Sequence, residues 1–238
     1  MNVLIVAAHP DDEVLGCGGT MAWHAARGDE VAVLILAEGA TSRAGTSPKE
    51  GKRAVSALAQ AARRASESLG AKRVELLGFP DNRMDTVSRL EIVQAVERHV
   101  ESWRPEIVYT HHSGDLNVDH QIAHESVATA CRPSPGQYVK RILCFEVPSS
   151  TEWRLPGSSA AFQPNWFVDI TPHLDSKLSA LREYETEMRP WPHARSIEAI
   201  THLARWRGPS AGLEAAEAFM LARSIEVSAA RQAKTGRT

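Results

Sequence analysis

The sequence predicts an α/β fold: a three-layer sandwich with a mostly parallel sheet, closed by a C-terminal cap of helices and loops. Three observations predict it. Almost unbroken apolar runs, such as Val3 to Ala8 and Val31 to Ala37, read as strands buried on both faces. Each run is followed by a longer stretch of helical texture, so strand and helix alternate. A chain of 238 residues with 43% hydrophobic content can bury a sizeable core as one domain.

The first strand, residues 3–8, runs straight into His9, Pro10, Asp11, Asp12 and Glu13. A helix over residues 14–26 follows, with Leu15, Met21, Trp23 and Ala26 apolar and Gly28 and Asp29 closing it. Its Gly16-Cys17-Gly18-Gly19 run invites a phosphate-binding reading. The spacing is not GxGxxG, however, and three acidic residues would stand where a pyrophosphate should sit. Close helix-sheet packing accounts better for those glycines.

The second strand, 31–37, ends at Glu38, and a polar loop through Pro48 leads to an Ala- and Arg-rich helix ending at Leu69-Gly70. A third strand, 74–77, exits through Pro80, Asp81, Asn82 and Arg83. A helix over 88–103 precedes the fourth strand, 106–109; a helix over 121–130 precedes the fifth, 142–147. Right-handed crossovers place all parallel strand ends on one edge, giving a Rossmann-like sheet. His9, Glu38, Asp81, His112 and Glu146 are therefore expected to ring one pocket.

From Pro148 the texture shifts to a Ser- and Pro-rich loop, expected to form a rim or lid. A strand over 166–170, a helix over 174–188, a break from Arg189 to Arg195, and helices over 197–207 and 213–227 complete the reading. The single domain is expected to span 1–228, with 148–228 as rim and cap. Residues 229–238 lack large apolar side chains and are expected to fray.

A formal net charge of −2 leaves no basic footprint, so nucleic acid is not an expected partner. Cys17, Cys131 and Cys144 are odd in number and widely spaced, which argues against a disulfide framework and for a reducing, cytoplasmic setting. No secretory signal and no stretch of transmembrane length stands out. A homo-oligomer is expected, with the loop from Gly208 to Ala216 as a contact.

Several carboxylates packed beside an imidazole at a strand end cost free energy unless a cation offsets them. His9 and Asp12, three residues apart across a strand-to-helix turn, can face one point, and imidazole plus carboxylate suits zinc. Asp11 is then left free beside the metal. The blander reading is that Asp11, Asp12 and Glu13 only complement the helix macrodipole. A second cluster weighs against that reading: His111, His112, Asp115, Asn117, Asp119 and His120 fall just beyond the fourth strand. For His111 and His112 alone, ordinary hydrogen-bonded histidines remain the simpler account. His120 beside Asp119 reads better as a ligand with its orienting carboxylate.

The Ala-His-Pro-Asp-Asp-Glu run and the later Asn-Val-Asp-His resemble the LmbE-like, or PIG-L, zinc-dependent N-deacetylases, and the resemblance extends over most of the chain, including Leu77 to Asp81. It implies zinc held by His9, Asp12 and His120, Asp11 as general base, and Asp119 orienting a neighbouring catalytic group. The chain departs from the family at Asn117, where many members carry His. An amide can donate to a developing oxyanion but cannot deliver a proton. His111, His112 or His193 would then be the candidate acids.

Asp81, Arg132, Glu146, His193 and Arg195 are the candidate substrate contacts: the first and third from strand ends, Arg132 from a helix end, and the last two from the break after Pro190-Trp191-Pro192. Trp153, Trp166, Trp191 and Trp206 could stack on a sugar ring but are expected to serve the core. The resemblance implies hydrolysis of the N-acetyl group of an N-acetylglucosamine-like unit, free or conjugated. The alternatives are a metal-dependent amidase acting on a larger acyl or thiol conjugate, and a nucleotide-binding module without catalysis, which tight NAD binding without metal would reveal.

Overall fold

The computed structural model describes residues 1–40, 48–157, 159–226 and 228. Seven strands form one sheet in the order β3-β2-β1-β4-β5-β7-β6. They are β1 (Asn2–Ala7), β2 (Glu30–Ala37), β3 (Arg73–Phe79), β4 (Ile107–His111), β5 (Arg141–Phe145), β6 (Trp166–Asp169) and β7 (Ala216–Ser224). β1 to β5 are mutually parallel, and β7 runs antiparallel to both β5 and β6. The helices are α1 (Asp12–Ala26), α2 (Pro48–Ser68), α3 (Arg89–Trp103), α4 (Val118–Ala130), α5 (Leu174–Arg182) and α6 (Ile197–Arg207).

The continuous apolar strands follow from two cores, one on each face. Val3, Ile5 and Ala7 of β1 face α1, α2, α5 and α6, whereas Leu4, Val6 and Ala8 face α3 and α4. The glycines of α1 serve packing: a Cβ on Gly19 would lie 2.7 Å from Ile170 Cγ2, and one on Gly16 would enter the Phe145 ring.

α1 breaks at Cys17 (φ −149°, ψ 26°), which orphans backbone groups in the interior. A buried ion pair takes them up. Lys177 Nζ donates to Leu15 O (2.8 Å) and to Glu217 Oε1 (2.6 Å), while the Glu217 carboxylate accepts from Gly19 N (2.9 Å) and Thr20 N (2.6 Å).

Two segments correct the expectations. Residues 213–227 do not form a helix: Ala216–Ser224 is strand β7, because antiparallel pairing with β5 and β6 buries Ala216, Glu217, Ala218 and Phe219 and overrides the helical composition. The helix expected over 174–188 ends at Arg182, where the chain turns so that buried Tyr184 points to the sheet edge. The expected frayed tail, residues 229–238, lies outside the described residues, as does most of the polar loop before Pro48. No described helix is long and apolar enough to cross a membrane.

Candidate metal centre and its surroundings

The exits of β1, β3 and β4 converge at one sheet edge. His9, Asp12 and His120 each bring one donor atom within 4.8 Å of the others, and all three residues are buried. The cap of α4 explains why His120 arrives there: Asn117 Oδ1 accepts from Asp119 N (2.8 Å), so the helix starts at Val118 and His120 sits in its first turn.

The donor set fits a divalent metal. Asp12 Oδ1 and His120 Nε2 are buried without a hydrogen bond, although His120 Nε2 stands only 3.2 Å from Asp12 Oδ2. Each imidazole has a carboxylate at its other nitrogen. His9 Nε2 lies 3.0 Å from Asp119 Oδ2 and 3.4 Å from Asp81 Oδ1, and His120 Nδ1 lies 3.1 Å from Asp115 Oδ1. Such partners fix ring orientation and raise ligand basicity. Asp119 is itself held by Asn82 N (2.7 Å) and Met84 N (2.9 Å), and Asp115 by Thr151 Oγ1 (2.6 Å), Ser150 Oγ and Asn117 N.

The charges reflect this crowding. Burial disfavours the imidazolium of His9, but Asp119 and Asp12 overcome it and lift its pKa to about 10; burial likewise opposes His120, which Asp12 and Asp115 lift to about 9. Despite its burial, Asp12 is held well below the usual carboxylate range by His120, His9 and His111. Burial raises Asp11 well above its ordinary value against the opposing guanidinium of Arg195.

Asp11 occupies φ +107°, a conformation L residues rarely adopt. Its N–H donates to Glu13 Oε2 (3.0 Å), and its Oδ2 accepts from Arg195 Nη1 (2.6 Å). Arg195 also donates from Nε to Ser149 Oγ (2.7 Å), and Glu13 Oε1 accepts from Tyr184 Oη and from Ser66 Oγ (3.3 Å).

The structure thus brings His9, Asp11, Asp12, Asp81, Asp119, His120 and Arg195 into one network, which His111 and Asn117 adjoin; Arg132 and Glu146 do not join it. Arg132 is corrected outright. It follows α4, about 18 Å along the axis from His120 at 1.5 Å per residue, and its exposed guanidinium faces Glu97 (3.5 Å). Glu146 does not face the metal donors either. Arg207 grips it at both oxygens (2.8 and 2.7 Å), and together they line a small cavity with Leu15 and Lys177. His111 is fully buried, its ring stacked on His120 (4.0 Å) and its Nε2 accepting from Ala8 N (2.8 Å). His112 Nε2 is anchored to Ala160 O (2.9 Å), and His193 Nδ1 accepts from Arg195 N (3.0 Å). Asn117 spends Oδ1 on the cap and donates Nδ2 to Asn82 Oδ1 (2.9 Å). Contrary to expectation, Trp153, Trp191 and Trp206 are exposed rather than core.

Sequence reasoning missed Asp115, Glu13, Ser150, Thr151 and Tyr184 as supports. Asp115 and Glu13 belong to the acidic clusters and carried a signal. The hydroxyls lie far along the chain, and nothing local marks them.

Residues 4–131 match the family model described as PIG-L: GlcNAc-PI de-N-acetylase. The chain is 29% identical over 193 residues to an uncharacterized deacetylase, YaiS, of Escherichia coli K12, covering 78% of this chain and 91% of that protein. It is 29% identical over 241 residues to 1D-myo-inositol 2-acetamido-2-deoxy-alpha-D-glucopyranoside deacetylase 1 of Saccharopolyspora erythraea, covering 80% and 78%. Among solved structures, GalB, the 4-carboxy-2-hydroxymuconate hydratase of Pseudomonas putida KT2440, superposes with a TM-score of 0.76 at 23% identity, over 95% of this chain and 98% of that one; that likeness concerns the fold alone.

Proposed function

Because the chain belongs to the PIG-L family of GlcNAc-PI de-N-acetylases, we infer that it is a hydrolase that removes the N-acetyl group from an amino sugar, with zinc as its metal. The observation that carries this reading is the convergence of His9, Asp12 and His120, each imidazole backed by a carboxylate, with Asp11 beside them. The deacetylase relatives, one of them named for a 2-acetamido sugar, support the substrate class.

His9, Asp12 and His120 would hold the zinc, which when bound would supply Lewis acidity and make water more acidic. Asp11 takes the proton of the attacking water and becomes a carboxylic acid. That acid then returns the proton to the amine as the C–N bond breaks, so one residue serves both halves of the reaction. Asp119 and Asp115 orient the two imidazoles. His111, stacked beneath His120 with Nε2 already accepting, is left out of proton delivery. Asp81, adjoining His9, is assigned to substrate hydroxyls.

Assembly of like copies is part of the proposal, supported by exposed Trp206 beside the loop from Gly208 to Ala216. Light scattering at micromolar concentration should give a multiple of the chain mass; a monomer mass removes it. The three free, buried cysteines support a reducing compartment such as the cytoplasm.

The reading is tested with paired substrates: N-acetylhexosamine conjugates against the same amines carrying longer acyl chains. Acetate release confined to the acetylated set is the expected result. Preference for the longer acyl group would replace the deacetylase with a broader amidase.

A further inference from the structure

Asp11 is held at two points, and both holds trace to the segment between α5 and α6, outside the stretch the family model matches. Its backbone N–H donates to Glu13 Oε2, and the other Glu13 oxygen is gripped by Tyr184 Oη and Ser66 Oγ. Its Oδ2 accepts from Arg195 Nη1, and the guanidinium is fixed from behind by Ser149 Oγ. Asp11 Oδ1 takes no hydrogen bond among the described residues. Glu13 and Tyr184 are fully buried, so the backbone hold is no surface accident; in the second hold Asp11 is buried and Arg195 partly so.

We propose that the segment carrying Tyr184 and Arg195 is a clamp that fixes Asp11 in its strained conformation so that Oδ1 alone is presented to the attacking water. The inference rests on Asp11 being the base. The chemical step is a single proton transfer: a water O–H bond breaks, its electron pair stays on the water oxygen, and the proton forms a bond to Asp11 Oδ1. Tyr184, through Glu13, holds the backbone at φ +107°, and Arg195 occupies Oδ2 so the carboxylate cannot rotate. Arg195 and Tyr184 are positioning residues in this assignment. Arg195 thereby moves from the substrate-contact role its sequence position suggested to a role on the base.

The geometry explains why two chain-distant tethers are needed. The left-handed region is unfavourable for an aspartate, and such strain persists only where neighbours overdetermine it. A relaxed Asp11 would swing its carboxylate away from the metal donors, and a misplacement of about 1 Å costs a catalytic group on the order of a hundredfold.

The test uses five variants of the full chain: Tyr184→Phe, Arg195→Lys, Glu13→Gln, Glu13→Ala and, as reference, Asp11→Asn. Each is measured for kcat, KM and bound zinc, with acetate release as the readout. The clamp predicts that Tyr184→Phe and Arg195→Lys keep zinc and KM while kcat falls about tenfold to a hundredfold. Glu13→Gln, which retains an acceptor for Asp11 N–H, should lose less than Glu13→Ala. Unchanged kcat in both Tyr184→Phe and Arg195→Lys, with Asp11→Asn inactive, overturns the clamp while leaving the base in place. A raised KM with normal kcat in Arg195→Lys overturns it in favour of a substrate contact. An active Asp11→Asn enzyme instead removes the base assignment itself.

Discussion

Lys177 Nζ lies 2.6 Å from Glu217 Oε1 in the protein interior, and the pair joins the two halves of a helix broken at Cys17. The lysine takes the carbonyl at the end of the first half, and the glutamate caps the amides that open the second. The first half carries the metal donor Asp12 at its N-terminus. Lys177→Met strands a buried carboxylate and should cost about 3–5 kcal/mol of stability. Glu217→Gln keeps one oxygen for Gly19 N and Lys177 Nζ, which share Oε1, but turns an amide –NH2 towards Thr20 N, and should cost less. Urea denaturation of both variants checks the order; equal, small losses would show that the pair is not what joins the helix.

Asp119 holds His9 through Nε2, so its carboxylate should matter for metal affinity rather than for folding. Asp119→Asn keeps an oxygen for only one of the Asn82 and Met84 amides, which bond different carboxylate oxygens, and lacks the charge. Competition with a chromogenic chelator should show about a 10- to 100-fold loss of zinc affinity. Wild-type affinity would mean that Asp119 serves only the loop at Asn82.

Raised histidine pKa values give a pH dependence with a definite sign. Without metal, Asp119 and Asp12 raise the pKa of His9 to about 10, and Asp12 and Asp115 raise that of His120 to about 9, above the ordinary 6.5. Their imidazolium charges therefore stabilise the metal-free fold fully below about pH 6.5, and that contribution is lost as pH rises through 9 and 10. A metal must displace those protons. Zinc affinity should rise with pH up to about 10, with proton release measurable by calorimetry in buffers of different ionisation enthalpy. Affinity independent of pH would contradict the donor assignment.

Gly16 and Gly19 should resist substitution for steric reasons alone. Alanine at either position presses on Phe145 or Ile170, and overpacking of this kind costs about 1–3 kcal/mol. Thermal unfolding of Gly19→Ala, seven residues along the chain from Asp12, reads this packing cost directly; an unchanged Tm would mean that Ile170 yields freely.

How much of this was legible follows from how each feature is encoded. The parallel strands were plain because burial on both faces writes itself as an apolar run, as in β1 and β2. Strand β7 was hidden because its residues are helix formers held extended by the partners on either side. His9, Asp12 and His120 stood out because a metal site needs clustered donors at strand ends. Arg132 misled because proximity in sequence to His120 becomes distance along a helix. The supports of the site, Tyr184, Ser66, Ser150 and Thr151, touch it only through tertiary contact and have no local signature.

The most direct test of the account is acetate release from an N-acetylglucosamine conjugate, measured on the same preparation as purified, after chelation and after zinc is restored. Turnover should disappear with the metal and return with one equivalent of zinc per chain. Turnover that survives complete chelation, or protein that binds zinc through His9, Asp12 and His120 yet releases no acetate from any N-acetyl sugar conjugate, would contradict it.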